Sequence, residues 1–360
     1  MAIQVNGTTV IDNSRNLNNI SSIDATTAAA INAAGVGGGS AGELDGPLEN
    51  YFFWENSFPS GHEVSPETFA FFIGTDTYIS TYRSGDGGRR SLLKSTNYGQ
   101  SWTEALNWQG TNDSAWTNNM YNAHFAWDGG NNAMFVIPDY YGGLFYTTNG
   151  GSSWSEHNPF GNSSYPNWVT SAGGGYFLCG VNDKIYRSSN NGASWSQIHS
   201  GLTFYSGEVQ GNTMILTDSS NNLTRSTNFK TGWSYTNVST NGVYAGRSNF
   251  TKTNGIWMNS EGKYSTNDGV TWNIPTNSPS GPNYSISGIN GYFINRQYEY
   301  YAYTTNGQGW TWVFTGIGGS SSSEPRYTTV KPPNSDVTTY MSIRLLDNQS
   351  PAHISKLTIT

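Results

Sequence analysis

From about residue 67 onward the chain alternates short apolar runs with clusters of Gly, Ser, Thr and Asn. One unit reads FAFFI (Phe69–Ile73), TYISTY (Thr77–Tyr82), SLLKS (Ser91–Ser95) and WTEAL (Trp102–Leu106); the next reads NAHFAW, AMFVI, GLFYT and WSEH. Each run is too short for a helix and rich in β-branched or aromatic residues, so each predicts a strand bounded by turn residues. Later second strands are YFLCG (Tyr176–Gly180), TMILT (Thr213–Thr217), GIWMN (Gly255–Asn259) and GYFIN (Gly291–Asn295). Three more, RYTTV (Arg326–Val330), TYMSIRLL (Thr339–Leu346) and ISKLTIT (Ile354–Thr360), come near the C-terminus.

The turn words between these strands repeat. They are STNYGQSW (Ser95–Trp102), TTNGGSSW (Thr147–Trp154), SSNNGASW (Ser188–Trp195), STNFKTGW (Ser226–Trp233) and STNDGVTW (Ser265–Trp272), with a shorter TTNGQGW from Thr304 to Trp310. Their Asn residues, Asn97, Asn149, Asn190, Asn228, Asn267 and Asn306, are 52, 41, 38, 39 and 39 positions apart. A period near 40 is that of a four-stranded propeller blade. In each word the Ser or Thr leaves a strand, the Asn side chain bonds backbone N–H groups within the turn and a Gly supplies a positive φ. The Trp (Trp102, Trp154, Trp195, Trp233, Trp272, Trp310) then re-enters the sheet as a core plug. The predicted fold is an all-β, seven-bladed β-propeller over residues 43–360, with YFFWEN (Tyr51–Asn56) supplying the fourth strand that seals the chain's beginning against its end. A six-bladed ring with the C-terminal strands packed elsewhere is the alternative.

The turn word resembles the Asp-box, or bacterial neuraminidase repeat, of sialidase-like propellers, S-x-D-x-G-x-T-W, with Asn replacing the Asp in every copy and Lys230 replacing the Gly in the fourth. The resemblance implies a structural role for the box and places the functional face at the opposite end of the blades. The 52-residue spacing marks an insertion on that face, NWQGTNDSAWTNNM (Asn107–Met120), beside the turn PDYYGG (Pro138–Gly143). Together they present Trp108, Asp113, Trp116, Tyr140 and Tyr141. Flat aromatics beside a carboxylate and amides suit stacking on sugar rings with hydrogen bonds to hydroxyls; the plainer reading is that Trp108 and Trp116 pin a long loop onto its blade. Sialidase chemistry would need an arginine cluster, a Tyr activated by a Glu and an acid/base Asp. Arg83, Arg89, Arg90, Arg247, Arg296 and Arg326 are the candidate arginines, with Tyr298, Glu299, Tyr300 and Asp86. The R-I-P motif that opens the family's catalytic domain has no counterpart near the first blade, so the expectation is a binder rather than an enzyme.

Composition narrows the classes. There are 17 Lys+Arg against 24 Asp+Glu, a formal charge of −7, which argues against a basic nucleic-acid binder. Charged residues are only 11% of the chain, so Ser, Thr, Asn and Gly must supply its polarity. Aromatics reach 14%, too many for a disordered chain. The single Cys179 excludes a disulfide framework, and five scattered His residues lack metal-ligand spacing. SGDGG (Ser84–Gly88) offers one carboxylate, too few for a calcium loop. No metal or cofactor is expected, and no apolar run reaches the roughly 18 residues of a membrane span.

Residues 1–42 stand apart: they contain no Phe, Tyr or Trp, and Asp12, Arg15 and Asp24 are their only charges. IQVNGTTVI predicts two short extended pieces about an Asn-Gly turn, DATTAAAINAAG predicts a small helix capped by Asp24 and stopped by Gly35, and GVGGGSAG predicts a tether. The phrases VIDNSRNL and IDATTAAAI resemble the N-terminal attachment region of tail-fibre and related virion proteins of phages of cyanobacteria and marine bacteria. That resemblance implies a particle-bound protein on the virion exterior, released by lysis, in keeping with the absence of a signal peptide. It implies other virion proteins as partners through residues 1–42, host-surface glycan or receptor as the partner of the propeller, and a homotrimer as one allowed assembly. The expected function is host adsorption as a tail fibre or knob, with a capsid decoration or head-fibre protein and a glycan hydrolase as the alternatives.

Overall fold

Alternating small, β-branched and aromatic residues fold into strands, antiparallel in all but one pairing among the described residues, in the computed structural model, which describes residues 3–5, 8–11, 48–53, 58–63, 69–83, 90–108, 125–130, 134–136, 144–161, 164, 166–238, 250–275, 286–297, 300–314, 326–329, 339–344 and 352–358. The chain divides into two compact units, Met1–Leu44 and Asp45–Thr360. In the first, Ile3–Val5 pairs antiparallel with Thr8–Ile11. The helix expected from Asp24 to Gly35 lies outside the described residues, and the described residues contain no helix.

In the second unit every Asn word starts where the third strand of a sheet ends, and each of these sheets takes its name from that Asn. The Asn149 sheet comprises Phe125–Trp127, Met134–Val136, Leu144–Thr147 and Ser155–His157. The Asn190 sheet comprises Pro166–Gly173, Tyr176–Val181, Lys184–Ser188 and Ser196–Ser200, and the Asn228 sheet Phe204–Gln210, Thr213–Asp218, Leu223–Ser226 and Thr236–Asn237. The Asn306 sheet is Ile286–Ile289, Tyr292–Gln297, Tyr300–Thr304 and Thr311–Phe314. The Asn97 sheet has six strands: Phe69–Ile73, Asp76–Arg83, Arg90–Ser95 and Thr103–Trp108, with Arg326–Thr329 on its first edge and His62–Glu63 against Asp76–Arg83.

The sequence leads to an expectation of seven complete blades; the described residues show five, and two further sheets of three strands. In the Asn267 sheet (Phe250–Thr253, Ile256–Asn259, Tyr264–Ser265) the fourth strand is reduced to one bridge between Tyr264 and Asn273. Pro275 stands two residues later, and a proline cannot donate to a ladder. The closing sheet joins Thr339–Arg344, Ala352–Thr358 and Leu48–Phe53, so the beginning and end of the aromatic region are hydrogen-bonded as the sequence suggests. RYTTV, expected in that sheet, runs instead parallel to Phe69–Ile73. It still meets the closing sheet through one side chain: Thr329 Oγ1 accepts from Met341 N at 3.2 Å and donates to Met341 O at 3.3 Å.

The core lies in the seams between successive sheets. Phe71, Tyr78, Leu92 and Leu106 of the Asn97 sheet pack with Phe145, Phe125 and Trp127 of the Asn149 sheet. Phe135 and Leu144 meet Phe177 and Cys179 in the next seam, and Trp168 and Leu178 meet Phe204, Met214 and Phe229 in the one after. Met341, Ile343 and Ile354 of the closing sheet pack on Ala70, Phe72 and Ile79 of the Asn97 sheet. Trp168, Trp257 and Trp272 are fully buried; a buried aromatic removes roughly 150–250 Å² from water, on the order of 4–6 kcal/mol each. Hydroxyls stitch the first strands across these seams: Thr170 Oγ1 accepts from Val209 N (3.3 Å), Thr251 Oγ1 from Gly288 N (3.0 Å) and Thr253 Oγ1 from Gly291 N (2.8 Å).

Candidate functional site

Each blade has two chemically different ends, and the difference begins inside the Asn turn. In the first word Ser95 Oγ accepts from the backbone N–H groups of Asn97 (3.3 Å) and Gly99 (2.8 Å) and donates to Asn97 Oδ1 (3.0 Å). Asn97 Oδ1 also accepts from Ser101 N (3.0 Å), while Asn97 Nδ2 donates to Ser101 Oγ (2.9 Å). The same Nδ2 bond recurs from Asn149 to Ser153 (2.8 Å), Asn190 to Ser194 (3.0 Å) and Asn267 to Thr271 (2.9 Å). A carboxylate lacks that donor and could only accept from the same hydroxyl, so Asn closes these turns by donating, and does so without a charge of its own. In the fourth word, where Lys230 replaces Gly, Asn228 Oδ1 instead accepts from Ser234 N at 2.8 Å. Asn306 in the sixth accepts from Gln308 N (2.9 Å). Trp102, Trp272 and Trp310 are buried, whereas Trp154, Trp195 and Trp233 are half-buried on the blade rims.

These turns grip the neighbouring blade through a position the sequence reading overlooked, the residue just before the leading Ser or Thr. Lys94 Nζ donates to Gly150 O in the next turn (3.2 Å), and Arg187 Nη1 donates to Phe229 O (3.1 Å) and Gly232 O (3.4 Å). Arg225 Nε donates to Asp268 O (2.7 Å), and Arg225 Nη2 lies 3.0 Å from Asp268 Oδ2. The signal was present: Lys94, Tyr146, Arg187, Arg225, Tyr264 and Tyr303 hold this one register of the repeat, every one long and polar-tipped.

Asp268 takes part in two ion pairs, with Arg225 across the seam and Lys252 of its own sheet. Lys252 Nζ donates to its Oδ1 at 2.6 Å, Trp257 Nε1 at 3.1 Å, and Thr213 Oγ1 donates to Oδ2. Burial acts to raise its carboxyl pKa, but the bonds from Lys252, Thr213, Trp257 and Arg225 outweigh it and hold it at about 2. In the first seam burial lowers the Lys94 ammonium, and bonds to Asp76 and Tyr78 more than restore it, for a net upward shift. A second polar cluster joins His62 to the Asn97 sheet: Nε2 lies 3.0 Å from Glu104 Oε2 and Nδ1 2.9 Å from Thr81 Oγ1, and Ser91 Oγ donates to the same carboxylate oxygen at 3.2 Å. Thr81 and Ser91 are buried to 1% and 0% exposure, so neither hydroxyl is placed to attack a substrate; the cluster fastens His62–Glu63 to the blade. Burial pushes the Cys179 thiol well up, which keeps it unreactive. No group of three or more metal-ligating side chains occurs among the described residues.

The opposite end is where the sequence placed the ligand face. Trp108 is the last residue of Thr103–Trp108, paired with Arg90. That strand runs away from its Asn turn, and Phe125–Trp127 starts the next sheet, so the connection carrying Asp113 and Trp116 departs from the end remote from the turns. Tyr140 and Tyr141 fall between Met134–Val136 and Leu144–Thr147, the second and third strands of the Asn149 sheet, and that connection belongs to the same end. Asp113, Trp116, Tyr140 and Tyr141 themselves lie outside the described residues, as do Asp86, Arg89, Arg247, Tyr298 and Glu299. At this end two of the described turns are held by Asx side chains: Asp218 Oδ1 accepts from Ser220 N and Asn222 N (both 2.8 Å), and Asn259 Oδ1 from Lys263 N (2.9 Å).

Fold and site define the class: an all-β β-propeller of four-stranded blades with chemically distinct ends. No protein-family model and no curated protein matches the chain. Among solved structures it is similar to YCF48 bound to D1 peptide, at 14% identity and a TM-score of 0.50, covering 89% of this chain and 100% of that one. It is also similar to YCF48 from Cyanidioschyzon merolae (12% identity, TM-score 0.45, 82% and 97% covered). An ancestral GH74 enzyme matches at 16% identity and a TM-score of 0.46 over 67% of this chain and 39% of its own. At these identities the likeness is one of fold.

Proposed function

We propose that the chain is a phage virion structural protein that presents a β-propeller, akin to the Asp-box propellers, for recognition of a host-surface glycan. Residues 1–42 attach it to other virion proteins on the particle exterior. The two three-stranded sheets act as the remaining blades of a seven-membered ring. The observation that carries the reading is the division of labour between blade ends: one is closed by Asn turns latched to their neighbours, and the two aromatic-rich connections leave from the other. A ring fixed at one end offers a preorganised surface at the other, which lowers the entropic cost of binding. Trp108, Asp113, Trp116, Tyr140 and Tyr141 form the proposed contact, Trp and Tyr stacking on sugar faces and Asp113 accepting from hydroxyls.

Two measurements test this. Labelling purified particles with a Fab raised against residues 43–360 should place density at the tail; density over the capsid would assign a decoration role, and bare particles would refute virion attachment. Replacing Trp116 and Tyr140 together with Ala should reduce adsorption to host cells at least tenfold, since two lost stacking contacts are worth about 1–3 kcal/mol each. Unchanged adsorption would remove this face from consideration.

A further inference from the structure

The seam between the Asn228 and Asn267 sheets carries polar atoms that no protein group satisfies. Ser206, Thr217 and Asn259 are 1%, 0% and 0% exposed. Ser206 Oγ, Thr217 Oγ1 and Asn259 Nδ2 are each buried without a hydrogen-bond partner.

Strand register brings the three together. Ile215 and Trp257, on the second strands of the two sheets, share one apolar cluster with Leu223, Phe250 and Trp272. Two residues further along those strands stand Thr217 and Asn259, and alternation with period two returns them to the same facing surfaces. Ser206 is the cross-strand partner of Thr217, so its side chain shares that face. Leu223 pairs with Thr217 on the other side and Phe250 pairs with Asn259, and both belong to the cluster that closes the seam.

The amide orientation at Asn259 is fixed, because Oδ1 accepts from Glu261 N (3.2 Å) and Lys263 N (2.9 Å) and Nδ2 must therefore point away from its turn. Facing sheets stand about 10 Å apart, and a short hydroxyl opposite an Asn amide leaves a gap of about 4 Å, too wide for a direct bond and suited to one small bridging molecule. We infer that this seam binds a buried water, which accepts from Asn259 Nδ2 and donates to Ser206 Oγ and Thr217 Oγ1. Three polar partners in a sealed space are the usual setting of a structural water. A metal cation is a poor occupant, because the amide presents its N–H rather than its oxygen.

The test is a crystal structure of the full chain at a resolution that shows ordered solvent. A solvent peak within about 2.7–3.2 Å of all three atoms is expected. Direct contact between Thr217 Oγ1 and Asn259 Nδ2, or a seam without a peak, would overturn the inference. In Thr217→Val the melting temperature should fall by about 3 °C, and Thr217→Ser, which keeps the hydroxyl, should restore most of it. Equal stability of the Val and Ser variants would count against the site even if no variant crystal is obtained.

Discussion

Two seams of the propeller use the same repeat position for different chemistry. Between the Asn97 and Asn149 sheets, Lys94 is held by Asp76 of its own sheet (2.8 Å) and reaches only a backbone carbonyl, Gly150 O, across the seam. The Tyr78 ring stacks on Phe71 (4.6 Å between centroids), and its hydroxyl also donates to Gly150 O at 3.4 Å. Between the Asn228 and Asn267 sheets the acid has moved across the gap: Asp268 sits inside the partner turn, at φ 59°, and takes bonds from Arg225 and Thr213 of one sheet and Lys252 and Trp257 of its own. The first seam is therefore held by shape and one neutral acceptor, the second by an ion cluster that spans it. Latching thus requires the register and a long polar-tipped residue, but not a particular charge pattern.

The largest expected effect probes shape. A Cβ at Gly151 would meet the Tyr78 hydroxyl, whose ring is fixed by Phe71, at a backbone φ of +81°. Gly151→Ala should cost about 3 kcal/mol, read by chemical denaturation. Gly269, its counterpart in the ionic seam at φ +82°, would meet Cδ1 of the buried Ile215, a terminal methyl that rotation about a single side-chain bond can move. Gly269→Ala should cost about half as much, mostly the backbone term. Equal losses would show that the packing difference between the two seams is immaterial.

A smaller effect probes charge. The folded-state pKa of Asp268 lies below its unfolded value, at about 2 against 3.8. Its contribution is thus fully present above pH 4 and lost as the pH falls toward 2. The side chain is 40% exposed, so solvent screening reduces the stabilisation to about 1 kcal/mol. Asp268→Asn should lower stability by that amount at pH 7 and flatten the slope between pH 4 and 2. Lys94→Met should have the least effect, below about 1 kcal/mol, because the exchange retains much of the stem packing over Tyr78 and Asp76 is itself one-third exposed. A larger loss for Lys94→Met than for Asp268→Asn would invert the comparison.

The local chemistry of the turns was legible in the sequence. Ser-x-Asn at a fixed spacing before Gly and Trp specifies its own hydrogen bonds within eight residues, so the turn, its strands and the period near 40 need no tertiary information. The second left-handed position of the turn has no sequence signature, because it falls on dissimilar residues, Tyr98, Gly150, Asn191 and Asp268. Composition and spacing mark the candidate ligand residues, and the topology fixes only the blade end from which their connections depart. The tertiary structure decided matters that involve partners distant in sequence. Lys94 meets a turn more than 50 residues away, Arg326–Thr329 pairs with the opening strand Phe69–Ile73 rather than its sequence neighbour, and Pro275 comes closely after the single-bridge remnant of a fourth strand. A repeat encodes what each blade does with itself; which blade completes its sheet, and what lies across each seam, depends on side chains that meet only after the ring has closed.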